Sequence, residues 1–180
     1  MYLRYYGLQQ HPFHITPDPE FLFASPSHRE AFAGLVYGIE QRKGFITMTG
    51  EVGTGKTTVL RAALDKLRSD KLGIIYLFNP DISFDDLLQN LLKELGQNVK
   101  ERRTSWMLNC LNWVLINHYR QGGNMVLVID EAQNMPAETL EKIRVLSNLE
   151  TSKQKLLQIV LVGQPELDAV LRQHSLRQLT

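Results

Sequence analysis

Apolar runs alternate along the chain with segments in which apolar residues recur at helical spacing. The runs that predict strands lie at 45–48, 74–78, 125–129 and 156–162. The periodic segments between them predict helices at about 27–39, 56–68, 83–95, 105–119 and 136–149, with a last helix from about 165. Strands that are apolar on both faces and separated by helices are typical of a parallel sheet covered on both sides. The pattern therefore predicts an α/β fold.

Local signals predict where several of these helices begin and end. Ser27 and Ser83 precede periodic segments and are predicted N-caps, while Gly96 is a predicted helix stop. Pro136 suits the first turn of its helix because a backbone N–H there has no partner within the helix, so a proline, which lacks this N–H, loses no hydrogen bond. The helix over 105–119 is apolar almost all round, which predicts burial on most of its surface.

Residues 1–26 differ from the rest in being rich in proline and aromatic residues. X-Pro steps hold the backbone extended, so we predict an irregular, extended arm packed on the core formed by residues 27–180. Its aromatics are expected to line that core, and the alternative is contact with a nucleotide base. No repeat, low-complexity stretch or linker divides the remaining chain.

Composition narrows the class of protein. The chain has 180 residues, 43% of them hydrophobic and 22% charged, which is typical of a folded globular domain and excludes disordered and fibrous classes. A net charge of +1 gives no overall field for nucleic acid or membranes. A partner of that kind would need a local patch, and the one dense charge run, at 100–103, is predicted to be a solvated loop.

The lone cysteine and the absence of long apolar runs bear on localisation. Cys110 has no internal disulfide partner and is predicted to be a small buried apolar group in a reducing compartment. The start of the chain does not look like a signal peptide, and no stretch of about 18 apolar residues predicts a membrane span. We therefore expect a cytoplasmic chain.

A phosphate-loop motif lies between a predicted strand and a predicted helix, as G-x-x-x-x-G-K-[ST] requires. Its glycines allow a nest of inward N–H groups, the helix N-terminus adds partial positive charge, and Lys56 is expected to reach the β and γ phosphates. Thr57 is a predicted Mg²⁺ ligand. The predicted nucleotide-binding residues are Gly50, Glu51, Val52, Gly53, Thr54, Gly55, Lys56, Thr57 and Thr58.

An acidic pair, Asp130 and Glu131, directly follows the buried strand 125–129. Side chains at the carboxyl end of such a strand face the ligand crevice. We predict that Asp130 holds hydrated Mg²⁺ and that Glu131 polarises the water that attacks the γ phosphate. The pair favours hydrolysis of ATP over transfer of phosphate to a small molecule.

Gln164 follows the fourth predicted strand in the sequence Gly-Gln-Pro. If that strand lies between the first and third in the sheet, Gln164 would stand beside the γ phosphate and could sense it or orient the water. An ordinary turn is the alternative. His11 and His14 lack a convergent cluster of ligands and do not predict a metal site.

At these residues the chain resembles the AAA+ ATPases, and within them the group of general secretion pathway protein A (ExeA-type) and MshM. The resemblance covers nearly all of the chain. The phosphate loop and acidic pair are common to many ATPases, whereas the N-terminal and 146–151 motifs are more specific. The resemblance rests on Tyr5-Tyr6-Gly7-Leu8, Pro12-Phe13, Pro17-Asp18-Pro19, Phe21-Leu22-Phe23, His28 to Glu30, the phosphate loop, Asp130-Glu131-Ala132-Gln133, Leu146 to Thr151, and Leu161 to Leu167.

The resemblance implies a P-loop NTPase of AAA+ type, a three-layer sandwich with a five-stranded parallel sheet. It also implies ATP and Mg²⁺ at a subunit edge, self-association into a ring or filament, and an inner-membrane secretion or pilus protein as partner. Pro12, Phe13 and the region of His28 become candidates for contacts with adenine. A weaker resemblance extends to TnsC/TniB transposition regulators, which assemble on duplex DNA, and to origin-recognition ATPases.

AAA+ modules continue into a fifth strand and a helical lid, so the family pattern implies that residues 27–180 form a core truncated before that lid. Neither Arg172 nor Arg177 can be assigned as an arginine finger. The favoured function is an ATP-hydrolysing module that drives assembly or remodelling of a bacterial secretion or pilus machine, in the cytoplasm at the inner-membrane face. The alternative is a DNA-bound ATPase that regulates transposition. A nucleotide-gated scaffold with slow or no hydrolysis is a third possibility.

Overall fold

A four-stranded parallel sheet forms the centre of the chain, in a computed structural model that describes residues 2–7, 24–152 and 154–172. The strand order is β1-β4-β3-β2. The strands are β1 (Phe45–Thr49), β2 (Leu72–Leu77), β3 (Asn124–Ile129) and β4 (Leu157–Gly163). The helices are α1 (Tyr2–Tyr6), α2 (Pro26–Glu40), α3 (Lys56–Leu67), α4 (Phe84–Glu94), α5 (Thr104–Arg120), α6 (Ala137–Leu146) and α7 (Glu166–Leu171), with a short 3-10 turn at Ala132–Asn134.

Helices cover both faces of the sheet because alternate residues of each strand point to opposite sides. On β3, Val126 and Val128 face α2 and α3, whereas Leu127 and Ile129 face α4, α5, α6 and α7. All four of these side chains are fully buried. The predicted α/β fold, with three layers and a parallel sheet covered on both sides, is confirmed.

The register places β4 between β1 and β3. Phe45 pairs with Ile159, and Leu127 also pairs with Ile159 from the other side. All three pairings are parallel, so the carboxyl ends of the strands lie along one edge of the sheet. The segments that follow β1, β3 and β4 therefore meet at that edge.

Serine hydroxyls cap two of the helices, α2 and α4, and one of these caps differs from the prediction. The Ser83 hydroxyl caps α4 by accepting the Asp86 N–H at 3.2 Å. The predicted cap at Ser27 is wrong, because Ser25 accepts the His28 N–H and Pro26 opens α2. Pro136 is the N-cap of α6 and lies immediately before the first turn, where its lack of an N–H is harmless.

The N-terminal segment departs from the predicted irregular arm where the structure describes it. Residues Tyr2–Tyr6 form a short helix, and the Tyr5 and Tyr6 side chains are exposed instead of lining the core. The two rings contact each other edge to face, with centroids 4.9 Å apart. The rest of the predicted arm, over 8–23, lies outside the described residues and includes Pro12 and Phe13.

Two further predictions need correction. Helix α5 is not buried all round, since Trp113 is 63% exposed and Cys110 is only partly buried. Strand β2 ends at Leu77, so Phe78 projects beyond it and is 89% exposed. In both cases the apolar pattern predicts a buried side chain, but the residue lies on the outside of its helix or beyond the end of its strand and is therefore exposed. Among the described helices, none combines the length and apolar character needed to cross a bilayer.

Leu88→Ala should lower the free energy of unfolding by about 2–5 kcal/mol, because Leu88 is fully buried between α4 and the sheet and its loss leaves a cavity. Urea-induced unfolding followed by circular dichroism measures this. Val145→Ala, at a half-exposed position on α6, is the control and should change stability by less than about 1 kcal/mol. Equal effects of the two changes would contradict the assignment of Leu88 to the core.

Candidate active site

The loop between β1 and α3 has the backbone of a phosphate-binding nest. Gly53 and Gly55 have φ values of 78° and 81°, a region that glycine enters without strain. The Thr54 hydroxyl donates to the Glu51 carbonyl at 2.8 Å and closes the turn. Among the described residues no side chain caps the start of α3, so N–H groups of its first turn remain available to a ligand. Such a loop with a helix N-terminus suits an anion.

Lys56 folds back over this loop. Its Nζ donates to the carbonyls of Gly50 at 2.8 Å and Glu51 at 3.0 Å. An ammonium has three N–H donors, so within the described residues one remains for a phosphate oxygen. The contact of Lys56 with the β and γ phosphates stays a prediction.

Asp130 and Thr57, the two predicted Mg²⁺ ligands, are in contact. The Thr57 hydroxyl donates to Asp130 Oδ2 at 2.9 Å, which joins the first turn of α3 to the end of β3. The other Asp130 oxygen accepts the Glu131 N–H at 2.9 Å. A hydroxyl and a carboxylate are hard oxygen donors of the kind that Mg²⁺ prefers, and this ion takes its remaining ligands from water and phosphate. The pair therefore fits Mg²⁺, although the described residues contain no cluster of three or more ligating acids, histidines or cysteines.

Tyr76, on β2, lies beside the acidic end of β3. Burial raises the pKa of its phenol above the ordinary value. The positive charge of Arg61 lowers this pKa, and the negative charges of Asp65 and Asp130 raise it. The phenol therefore stays neutral at neutral pH and adds no negative charge next to Asp130.

Glu131 has an unusual backbone conformation. Its φ of 54° lies in the left-handed region, which costs a non-glycine residue about 1 kcal/mol or more and tends to occur at functional sites. This turn takes the chain from β3 directly into the 3-10 turn at Ala132–Asn134. The exposed Glu131 carboxylate stands at the edge of the crevice, where a water-activating base is expected.

Gln164 meets the condition on which its predicted role depends, because β4 does lie between β1 and β3. Its Nε2 is 3.5 Å from Glu131 Oε2, at the limit of a hydrogen bond. The preceding residue is tied to the phosphate loop, since the Gly50 N–H donates to the Gly163 carbonyl at 3.2 Å. The end of β4 thus touches both the loop and Glu131.

Gln133 is a site residue that the sequence analysis assigned no role. Its Nε2 donates to Glu131 Oε2 at 2.7 Å, and its Oε1 accepts the Gln164 N–H at 3.0 Å. The signals for it in the sequence are its place two residues after Glu131 and its membership of the Asp130-Glu131-Ala132-Gln133 motif on which the resemblance rests, and neither indicates what its side chain contacts.

His28 connects α2 to the phosphate loop. Its Nε2 lies 2.8 Å from the Thr54 carbonyl, and its Nδ1 lies 2.9 Å from the Ser25 hydroxyl. A carbonyl only accepts, so Nε2 carries the hydrogen in this contact. His28 also lines a cavity of about 240 Å³ bounded by α2, β1 and the loop, together with Ala31, Met48 and Val59. The expected contact with adenine remains a prediction.

Two other candidates from the sequence lie in the described part of the chain, outside the contacts reported above. The charge run at 100–103 lies on the loop before α5, where Arg103 pairs with Glu101. Arg172 is exposed just after α7. His11, His14 and Arg177 lie outside the described residues.

Comparison with known proteins places this geometry in a family. The family model described as "AAA domain" matches residues 39–171. The chain is 42% identical over 180 residues to General secretion pathway protein A of Aeromonas hydrophila, covering 99% of this chain and 33% of that protein. It thus spans about a third of the length of this curated relative.

Solved structures agree with the fold. Cdc6p from Pyrobaculum aerophilum superposes with a TM-score of 0.64 at 20% identity, covering 93% of this chain and 46% of that one. The ORC2 protein of Aeropyrum pernix, solved as ADPNP–ADP complexes, superposes with a TM-score of 0.63 at 16% identity. The match covers 93% of this chain and 48% of that one. At such identities the likeness concerns the fold alone. Because the family model matches most of the chain and the similarity to General secretion pathway protein A extends over nearly all of it, the chain belongs to the AAA domain family of P-loop ATPases.

Proposed function

We propose that this chain binds ATP with Mg²⁺ at the phosphate loop and hydrolyses it to ADP and phosphate. The observation that carries the proposal is the 2.9 Å hydrogen bond from Thr57 to Asp130. It brings together the two predicted metal ligands from opposite ends of the candidate site, with Lys56 on one side and Glu131 on the other.

Each residue has a chemical task in this proposal. The loop N–H groups and Lys56 bind the phosphate oxygens, and Thr57 with Asp130 would hold Mg²⁺, which when bound offsets charge on the β and γ phosphates. Glu131 accepts a proton from a water whose oxygen attacks the γ phosphorus. The bond from that phosphorus to the bridging oxygen breaks, and ADP leaves. Gln164 orients the water or contacts the γ phosphate.

We further infer a cellular setting from the relative. The 42% identity to General secretion pathway protein A favours a module that drives assembly or remodelling of a type II secretion or pilus machine, at the inner-membrane face. Self-association into a ring or filament would complete the site at a subunit edge. The relatives reported above lend no support to the alternative of a transposition regulator on duplex DNA.

Phosphate release from ATP by the full-length protein tests the proposal. We expect turnover with Mg²⁺ and none in excess EDTA, and Asp130→Asn should lower turnover about 100-fold or more because the carboxylate that fits the metal is lost. Asp70→Asn, at an exposed position at the opposite edge of the sheet, is the matched control and should leave turnover unchanged. Metal-independent turnover, or an active Asp130→Asn protein, would overturn the assignment.

A further inference from the structure

Gln133 joins the base to the neighbouring strand through both ends of one amide. The Gln164 N–H can only donate, so it must meet the Gln133 oxygen, at 3.0 Å. The amide nitrogen then faces the Glu131 carboxylate, which can only accept, at 2.7 Å. The two contacts require the same orientation of the amide, so neither could be kept if the amide were turned over.

Gln133 is itself held firmly. It is partly buried in the 3-10 turn, where the Asn134 N–H donates to the Glu131 carbonyl at 3.0 Å and the Met135 N–H donates to the Ala132 carbonyl at 3.1 Å. Ala132 and Met135 are buried on either side of it. The turn therefore anchors the Gln133 backbone while its side chain reaches β4.

The end of β4 is shaped to admit this side chain. A Cβ placed on Gly163 would lie 2.7 Å from Gln133 Oε1 and 2.9 Å from Leu167 Cδ2, closer than atoms of this kind approach. Glycine at this position thus makes room for the amide, with no positive φ to require it.

The contact selects one oxygen of Glu131. Oε2 receives the short bond from Gln133 and the long one from Gln164, whereas Oε1 has no partner among the described residues. An exposed glutamate would otherwise sample several rotamers, and a misplacement of about 1 Å can cost about 100-fold in rate. One oxygen is held and the other is left for a water.

We propose that Gln133 is a positioning residue that holds Glu131 in place for hydrolysis and sets it relative to the end of β4. The inference rests on the proposed function, in which Glu131 is the base. Gln133 acts through Glu131 and touches neither ATP nor the water.

Gln133→Glu in the full-length protein tests this with an isosteric change. The new carboxylate still accepts the Gln164 N–H but cannot donate to Glu131 and repels it. We expect kcat for ATP to fall about 10- to 100-fold, with KM and MgATP affinity changed less than about twofold. Gln154→Glu makes the same change in charge on an exposed turn before β4, at the opposite edge of the sheet, and should leave kcat unchanged.

A double-mutant cycle separates positioning from a general structural effect. In the Glu131→Gln background, Gln133→Glu should have no further effect on single-turnover hydrolysis, because the residue through which it acts is already gone. Thermal unfolding of each variant checks that the fold is kept. If Gln133→Glu is too unstable to assay, Gln133→Met replaces it. Methionine has a similar length and no charge but cannot donate to Glu131, so kcat should fall in this variant too.

Two results would overturn the inference while leaving the proposed function intact. The first is an unchanged kcat in Gln133→Glu together with a strong loss in Glu131→Gln. The second is an equal loss from Gln133→Glu in both backgrounds. A parent protein without turnover is a separate result, since it refutes the proposed function and the role of Gln133 with it.

Discussion

Glu131→Gln should lower ATP turnover in the full-length protein about 100-fold or more while MgATP binding is retained. Gln is isosteric with Glu but cannot take a proton from water, and loss of a positioned base has consequences of this size. The Asp130 and Lys56 contacts do not involve the Glu131 side chain, so the groups proposed to bind phosphate and metal stay in place. Phosphate release and equilibrium binding of a fluorescent ATP analogue measure the two quantities separately.

Glu40→Gln is the matched control for this change. Glu40 is exposed at the end of α2, at the opposite edge of the sheet from the phosphate loop. The same loss of charge there should alter neither turnover nor binding. Normal turnover in Glu131→Gln would mean that a different group activates the water.

Lys56→Ala should lower affinity for ATP about 30-fold or more. The ammonium lies over the loop that is proposed to bind the phosphates, 2.8 Å from the Gly50 carbonyl. Leaving a hydrogen-bonded phosphate charge without its cationic partner costs about 2–5 kcal/mol, and each 1.4 kcal/mol is a factor of about ten in affinity. Isothermal titration calorimetry with MgATP measures the change.

Lys66→Ala removes the same charge from the exposed last turn of the same helix. It should leave ATP affinity within about twofold of the parent value. Equal binding by Lys56→Ala and the parent would place the nucleotide elsewhere on the molecule.

The architecture could be predicted from the sequence because a parallel sheet has a strong pattern. Strands buried on both faces, such as 125–129, are continuous apolar runs, and their short length together with flanking glycines such as Gly122 and Gly123 separates them from helices. The ends of elements were less predictable. Ser25 and Ser27 are both cap-forming residues, and the hydrogen bond from the His28 N–H to the Ser25 hydroxyl shows which one the helix uses. Pro26, at the first helical position, was the signal that favoured Ser25.

Site residues could be predicted from the sequence where they belong to a motif of fixed spacing. They could not be predicted where their position depends on contacts between segments that are distant in the chain. Lys56 and Thr57 follow from the spacing of the loop, and Asp130 follows from the end of a strand. The positioning role proposed for Gln133 depends on β4 lying next to β3 and on the space left by Gly163. Neither feature can be inferred from the residues close to Gln133 in the sequence. The exposed side chains of Tyr5 and Tyr6 were missed because composition does not show whether a surface lies within reach.

The strand order has a consequence for synthesis of the chain on the ribosome. Within the described sheet, β1 hydrogen-bonds only to β4, so the strand that carries the phosphate loop waits for a partner made near the other end of this sequence. Until Gly163 has emerged, the Gly50 N–H lacks its acceptor. Pairing between such distant segments forms late because it closes a long loop. A nascent chain that has completed β3 therefore already contains the phosphate-loop motif and the acidic pair, and we expect it to bind nucleotide only once the fourth strand has paired with the first and the third.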